Sequence, residues 1–268
     1  MNDLEIYCVT NKKLPALENF QYKLAVVGSE KFGKNYLESD KGDNIFSKEK
    51  FYSELTFHYW YWKNQLDLSD NNWIGFCQKR RFWIKKSFAN ISINKENFKD
   101  SLLTHPSDEW KNYDSIICNP ISVKNVKTSK LIKRGWKSIL RDPSVLFNDN
   151  KRNLLLHFDM HHGHGNLEKA ISVLNEKYRN DFYNYVKNSS NLHPNIMCIS
   201  KSKVLNHWFT DLFEWLSNCE KVFGFENLKG YDTGRLYAYL AERFLPFWFR
   251  KNTKYLEWPW AFFENYEE

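Results

Sequence analysis

Residues 42–83 constrain the fold of this chain more than any other stretch. They read in order as a loop, an amphipathic helix, a short buried strand and a basic segment. The apolar positions of the helix recur at helical spacing and form one stripe, made of Phe51, Leu55, Tyr59, Trp62 and Leu66. Glu54, His58 and Lys63 fall off this stripe, so we expect them to be available for polar chemistry.

A predicted strand follows this helix and ends in positive charge. The apolar run 73–77 comes after a turn signal at 70–72, which favours a buried strand. The run leads directly into Lys79, Arg80 and Arg81. Because ligands of open α/β sheets bind outside the carboxyl ends of strands, these cations indicate an anionic ligand such as a diphosphate. A solvated basic loop is the alternative.

The same stretch resembles a family of bacterial glycosyltransferases from capsule and surface-polysaccharide clusters, catalogued as a domain of unknown function. The resemblance is carried by GDNI at 42–45, YSELTFHYWYWKN at 52–64 and IGFCQKRRFW at 74–83. Smaller matches keep the family's order, before this stretch at Thr10, Lys12 and Lys13, and after it at His161, His162, Glu242 and Arg243. Gln78 and Lys79 stand where many relatives have His-Tyr, so no role resting on an imidazole at 78 is carried over.

The resemblance implies a fold and a reaction. The expected fold is α/β, a nucleotide-binding sheet of glycosyltransferase type A flanked by helices, with a helical C-terminal portion. We expect one domain over residues 1–268, with the helical portion at about 166–268. The implied reaction moves a sugar from a nucleotide-sugar donor to a capsular or other cell-surface glycan, free or lipid-linked. A non-catalytic module that binds a nucleotide sugar or a glycan is the alternative.

Composition and charge limit the classes of partner that this chain is expected to bind. The net charge is +7 among 268 residues, but the basic residues are scattered, and no zinc-finger spacing or aromatic RNA-binding signature is present, so no nucleic-acid partner is expected. Nucleotide sugars and anionic lipids explain the charge equally well. The N-terminus lacks a signal-peptide pattern, and no apolar run approaches the length of a spanning helix. We therefore expect a cytoplasmic protein, with peripheral contact at the inner face of the plasma membrane left open for the basic segment 122–143.

The predicted donor contacts lie at strand ends and in one loop. Residues 4–9 predict a first strand that Thr10 closes, and 22–27 predict a second. Thr10 either bonds a donor base or ribose, or forms an ordinary turn. Residues 28–50 form a long polar loop, in which Asp43 and Asn44 are the best-placed polar groups. The predicted donor and phosphate contacts are Thr10, Asp43, Asn44, Lys79, Arg80, Arg81, His162 and Arg243.

Proton chemistry is predicted in the second half of the chain. Asp159 and His161 precede a glycine that suggests the start of a helix at 167–178. Glu242 lies in a later helix that Pro246 should kink or end. The base that activates the acceptor is therefore Glu242, His161 or Asp159, without a ranking among them.

The sequence assigns no metal ligands. Most metal-using enzymes of this fold place an Asp-x-Asp after a central strand, and this chain has none. We therefore expect side-chain cations to stabilise the departing diphosphate. No cofactor is predicted firmly, and a divalent ion (Mn or Mg), with the spacing of Asp159 and His161 as its best candidate site, is left open.

Further patterns complete the prediction. Apolar runs at 113–118 and 195–200 predict strands, and helical repeats predict a helix after Ser202. The aromatic tail at 246–268 either packs on the domain, which we favour, or lies at a membrane interface.

Overall fold

The computed structural model describes residues 3–264. Its strands are β1 Leu4–Thr10, β2 Lys23–Val26, β3 Tyr36–Leu37, β4 Trp73–Gln78, β5 Arg81–Trp83, β6 Ser115–Cys118, β7 Ile121–Ser122, β8 Asn191–Leu192, β9 Cys198–Lys201, β10 Tyr255–Trp258 and β11 Trp260–Phe262. Its α-helices are α1 Glu49–Tyr52, α2 Leu55–Asn64, α3 Phe98–Ser101, α4 Thr128–Arg141, α5 Leu154–His162, α6 Asn166–Ser172, α7 Glu176–Asn188, α8 Ser202–Phe223, α9 Gly230–Gly234 and α10 Leu236–Asn252.

The chain forms two compact units. The first contains residues 3–119, 195–210 and 249–264, and the second contains residues 120–194 and 211–248. The expectation of one domain with a helical portion at about 166–268 stays a prediction.

The first unit is built on a mixed sheet with the strand order β10-β6-β9-β4-β1-β2-β3. β4, β1, β2 and β3 run parallel, while β9 lies antiparallel to both β4 and β6. The last five residues of β1 are buried, as expected of a central strand covered on both faces. The strands predicted at 4–9, 22–27, 73–77 and 113–118 are confirmed to within a few residues. The strand predicted at 195–200 is present but begins later, at β9.

Helix α2 covers one face of this sheet. Its Tyr61 ring lies 4.8 Å from Tyr7 of β1 and 5.3 Å from Phe76 of β4. Ile6 and Cys8 of β1 point to the other face, into a core that also contains Trp110 and Trp258. Trp258 and Phe263 of the aromatic tail are buried in this unit, as favoured, whereas Phe262 is 50% exposed.

The predicted apolar stripe of α2 is wrong in its orientation. Tyr59 and Trp62 are only half-buried, whereas Phe57 and Trp60 are buried. His58, which we expected to be available for polar chemistry, is 1% exposed. The helix packs against the sheet with a different face, because nearly every residue between 55 and 62 is large and apolar and no single stripe stands out.

The second unit is mainly helical. Trp215 of α8 packs against Phe182 of α7 and Phe244 of α10, with ring centroids 5.8 and 4.9 Å apart. A smaller core joins α4 to α5 through Leu131 and Met160. The helix predicted at 167–178 is in fact two helices, α6 and α7. α10 continues through Pro246 to Asn252, so the proline does not end it. Among residues 3–264, no helix combines the length and apolar character needed to cross a membrane.

Candidate functional site

The carboxyl ends of three neighbouring parallel strands meet at one edge of the sheet. β1 pairs with β2 so that Thr10 lies opposite Val26, and β1 pairs with β4 so that Val9 lies opposite Gln78. The side chains that follow β1 and β4 are therefore brought together. Asn11 and Lys79, for example, are in contact although 68 positions separate them in the sequence. This is the edge at which ligands of open α/β sheets bind.

A tight turn carries the basic cluster beyond β4. Gln78 pairs with Arg81 in the antiparallel β4–β5 pair, so only Lys79 and Arg80 connect the two strands. Arg80 has φ 72°, a left-handed conformation that costs a residue other than glycine about 1–2 kcal/mol. Backbone strain of this kind is concentrated at functional sites. Arg80 is therefore held in a conformation that glycine would adopt more easily.

The C-terminal strand holds both arginines of the turn. Arg80 donates to the Glu264 carboxylate at 2.6 Å, and its backbone carbonyl accepts from the Phe263 N–H at 2.8 Å. The guanidinium carbons of Arg80 and Arg81 lie 5.9 and 5.4 Å from the ring centroid of Phe262, within the range of cation–π attraction. The side chain of Arg80 is 41% exposed, so it is positioned by the protein yet open to a ligand.

Other polar side chains fix the surroundings of this turn. Lys79 donates to the Asn11 side chain, and Gln78 donates to Asn195 at 2.9 Å. The Thr10 hydroxyl accepts from the backbone N–H of Lys12 at 3.0 Å and donates to the Lys12 carbonyl at 2.6 Å. Thr10 is 1% exposed, so its hydroxyl shapes the loop after β1. A direct bond from Thr10 to a donor stays a prediction.

The loop at residues 42–45 is fastened to α2. Asn64 donates to the Asp43 carbonyl at 2.8 Å and accepts from the Asp43 N–H at 3.2 Å. The Asn44 side chain forms hydrogen bonds within the loop. Its Nδ2 donates to the Gly42 carbonyl at 2.8 Å, and its Oδ1 accepts from the Phe46 N–H at 3.1 Å. The Asp43 carboxylate accepts from the Tyr59 hydroxyl at 3.1 Å and is otherwise exposed. Asp43 can therefore meet a ligand, whereas Asn44 serves to shape the loop.

A small cavity of about 20 Å³ lies beside the carboxyl end of β2. Val26, Gly28 and Asp40 are among its lining residues. One Asp40 oxygen is buried without a hydrogen-bond partner in residues 3–264, and the other lies 3.9 Å from the Lys31 ammonium. An acceptor in this position can bond a hydroxyl or an N–H of a ligand.

The second unit contains a buried polar cluster around Arg243. Arg243 is 1% exposed and donates to the Glu242 carboxylate. Its guanidinium also lies 3.1 Å from His157 Nδ1, and its Nε has no partner among residues 3–264. The Glu242 side chain is 19% exposed. A buried cation must be paired, so the Arg243 guanidinium orients the Glu242 carboxylate. Of these two side chains, Glu242 is the one that can reach a ligand.

The histidines of this cluster are neutral at pH 7. Burial, with Arg243 nearby, lowers the pKa of His157 to about 2 and that of His162 to about 3. Burial also lowers the pKa of His161, although its bond to the His157 carbonyl at 2.9 Å acts in the opposite sense. His162 stacks on Tyr239 with ring centroids 3.7 Å apart. These rings can accept or donate a hydrogen bond but supply no positive charge, so the phosphate role of His162 stays a prediction.

Asp159 belongs to a different cluster from the other two candidate bases. Its carboxylate accepts from the Gly165 N–H at 3.0 Å and lies 3.2 Å from the Ser138 hydroxyl and 3.0 Å from His164 Nδ1. Burial raises the pKa of Asp159, against the effect of those partners. It lines a cavity of about 590 Å³ within the second unit. Asp159 thus shapes the turn after α5.

The spacing of Asp159 and His161 does not make a metal site. Two residues along an α-helix are about 200° apart, so α5 directs the two side chains to different sides. Within the described range 3–264, no group of three or more His, Cys, Asp or Glu side chains is arranged to hold a metal ion. The geometry gives no support to that ligand pair.

The structure adds residues that sequence reasoning missed. At the strand ends these are Asn11, Asp40, Phe262 and Glu264, and beside Arg243 they are His157 and Tyr239. Phe262 and Glu264 carried no local signal, since Glu264 lies 184 residues from Arg80. His157 could have been predicted from the sequence, because it precedes His161 by one helical turn.

Comparison with known proteins agrees with the fold. The model of a family described as a domain of unknown function (DUF4422) matches residues 5–253. The chain is also similar to the apo structure of WbbM, a bifunctional glycosyltransferase, with a TM-score of 0.72 and 20% identity. That match covers 98% of this chain and 46% of WbbM, so the chain spans less than half of that protein. No curated protein matched. The expected α/β fold with a sheet flanked by helices is confirmed and matches that of a glycosyltransferase.

Proposed function

The chain belongs to the family described as a domain of unknown function (DUF4422), and we propose that it is a glycosyltransferase that uses a nucleotide-sugar donor. The observation that carries the proposal is Arg80, an exposed cation held in a left-handed turn at the carboxyl edge of parallel strands. The fold of WbbM, a glycosyltransferase, supports the same reaction class.

The donor diphosphate is proposed to bind at the basic turn. Lys79, Arg80 and Arg81 offer positive charge where negative charge develops as the diphosphate leaves, which is the electrostatic form of catalysis. Arg80 and Arg81 present forked donors that suit phosphate oxygens. Asp40 and Asp43 are proposed to meet the base or ribose of the donor.

Glu242 is the proposed base. In the reaction, an acceptor hydroxyl oxygen bonds to the anomeric carbon, the bond from that carbon to the diphosphate breaks, and the hydroxyl proton passes to a carboxylate. Glu242 is exposed enough to take the proton and is oriented by Arg243. His161 is a weaker base because burial lowers its pKa, and Asp159 is occupied in the turn after α5.

The acceptor is proposed to be a growing capsular or other cell-surface glycan, free or lipid-linked. The resemblance of residues 42–83 to bacterial enzymes of surface-polysaccharide clusters supports this class. Work on such an acceptor places the protein at the inner face of the plasma membrane. The donor chemistry proposed here needs no divalent ion.

The test is release of nucleoside diphosphate from a panel of nucleotide sugars, measured with and without surface-glycan acceptors. Glu242→Gln should lower turnover by about 10²–10⁴-fold while donor binding persists. Glu226→Gln, which removes an exposed carboxylate of the same unit, is the matched control and should keep full turnover. Circular dichroism must show that both variants are folded.

Two results would overturn the proposal. Full turnover by folded Glu242→Gln would remove Glu242 as the base. Donor binding by the wild-type protein without turnover, with every acceptor of the panel, would favour the non-catalytic binding module instead.

A further inference from the structure

Large apolar side chains are exposed in one short segment of the second unit. Of the ten described large apolar side chains that are exposed, four lie between residues 132 and 147. They are Ile132 at 54%, Trp136 at 52%, Leu140 at 73% and Phe147 at 89% exposure. Exposed apolar residues scattered singly need no explanation, but a contiguous patch marks an interaction surface.

Helix α4 arranges three of these side chains in a line. Ile132, Trp136 and Leu140 are spaced by four residues, so they lie on one stripe of the helix. Leu131 and Gly135 are buried and face the small core between α4 and α5. The apolar stripe is therefore not the side by which α4 packs on its own unit.

A stripe of positive charge runs beside the apolar one. α4 contains Lys130, Lys133 and Lys137 and no acidic residue. At about 100° per residue, Lys133 and Lys137 fall beside the apolar stripe on the flank away from the core, whereas Lys130 lies farther round the helix, towards Arg134 and Arg141. The three lysines form no ion pair with residues 3–264, whereas Arg134 pairs with Asp232 and Arg141 with Glu168.

We propose that α4 is a membrane-docking helix that lies on an anionic lipid bilayer. The apolar stripe would enter the boundary between head groups and acyl chains, and Lys133 and Lys137 would face lipid phosphates. A helix with a lysine-rich face beside an apolar face that contains Trp and Leu is the usual form of such a surface. Anionic lipids attract each nearby cation. This inference does not depend on the proposed glycosyl transfer.

Charge argues for lipid and against a second copy of this chain. A symmetric dimer through α4 would bring the unpaired lysines of both copies to the same interface, and like charges there oppose association. An anionic bilayer can bind both stripes, because its phosphates attract the lysines and its apolar interior buries the apolar side chains.

Co-sedimentation with vesicles tests the proposal. The protein should bind vesicles of phosphatidylcholine mixed with phosphatidylglycerol, bind pure phosphatidylcholine weakly, and lose binding as salt rises. The double substitution Lys133→Gln with Lys137→Gln should weaken binding by about fivefold per lysine. Trp136→Ser with Leu140→Ser should weaken it by at least about tenfold.

Matched controls separate docking from general charge and apolarity. Ile91→Ser and Lys99→Gln change exposed residues of the first unit and should leave vesicle binding unchanged. Absence of wild-type binding to the anionic vesicles would overturn the proposal, as would full binding by the Trp136/Leu140 variant. A wild-type dimer that this variant converts to a monomer would assign the surface to self-association and overturn it as well.

Discussion

Arg80 combines an unfavourable backbone conformation with an exposed charge. Its φ of 72° suits glycine, yet the chain has arginine there and surrounds it with Phe262, Phe263 and Glu264. A surface ion pair contributes only about 0–1 kcal/mol, too little to explain the choice of residue by stability. The proposed diphosphate site at the strand end accounts for a cation at this position.

Replacing Arg80 in two ways separates charge from backbone strain. Arg80→Ala and Arg80→Gly should both lower turnover strongly, because both remove the cation. The glycine variant should be the more stable of the two by about 1 kcal/mol, because it adopts the left-handed conformation without strain. Urea unfolding and diphosphate release measure the two effects.

Arg179 provides a control in which the order of stability reverses. It lies in α7, where glycine is about 1 kcal/mol less favourable than alanine, and neither Arg179→Ala nor Arg179→Gly should alter turnover. Wild-type turnover by Arg80→Gly would show that the cation is dispensable.

His58 makes stability depend on pH. Burial lowers its pKa to about 3, against about 6.5 in an unfolded chain. Between these values the unfolded state holds a proton that the folded state does not, so stability is full above about pH 6.5 and falls as the pH drops towards 3. His157 and His162 act in the same sense.

Removing this imidazole should flatten the acid side of the stability curve. His58→Leu should reduce the slope of the unfolding free energy between pH 6 and 4 by about 1.4 kcal/mol per pH unit. Urea unfolding across that range measures it. His105→Gln, at an exposed position, should leave the slope as in the wild type. An unchanged slope in His58→Leu would mean that His58 is protonated in the folded protein.

At the scale of elements, α2 positions a loop as well as covering the sheet. Asn64, in its last turn, bonds both backbone groups of Asp43 and the carbonyl of Trp60. Gly42 has φ 71°, and a Cβ there would lie 2.2 Å from Asn64 Oδ1. The loop at 42–45 therefore depends on a polar residue of α2 and on a glycine that lets the two approach closely.

Loss of Asn64 should loosen this loop without unfolding the unit. Asn64→Ala should raise amide hydrogen exchange at 40–46 and raise KM for the donor about tenfold, with a smaller effect on kcat, because a preorganised loop is lost. Gln65→Ala, the exposed neighbour, should change neither. An unchanged KM in Asn64→Ala would exclude the loop from donor binding.

Sequence patterns predicted the elements better than their orientations. β1 and β4 were predictable because central parallel strands are continuous apolar runs. The buried face of α2 was not, because its aromatic residues surround the helix and only the sheet decides which are covered. The path of α10 through Pro246 was equally hidden, since tertiary packing can override a local helix breaker.

At the scale of the whole molecule, the sequence predicted where charged residues gather but not which side chains hold them in place. Lys79, Arg80 and Arg81 were predicted to form a basic strand end, and the structure places them there. Their support from Phe262 and Glu264 depends on the pairing of β5 with β11, which no local pattern reveals. Asp159 and His161 lie two residues apart in sequence, and α5 directs them to different sides because a helix turns about 100° per residue.

The most direct test of the central claim is unfolding of the wild-type protein and of Arg80→Ala with nucleoside diphosphates in EDTA. A diphosphate bound at the cationic turn should stabilise the wild type by about 2.7 kcal/mol at 100 times its Kd, and should stabilise Arg80→Ala much less. Equal stabilisation of both proteins, or stabilisation of the wild type only after Mn²⁺ is added, would contradict a metal-free diphosphate site at Arg80.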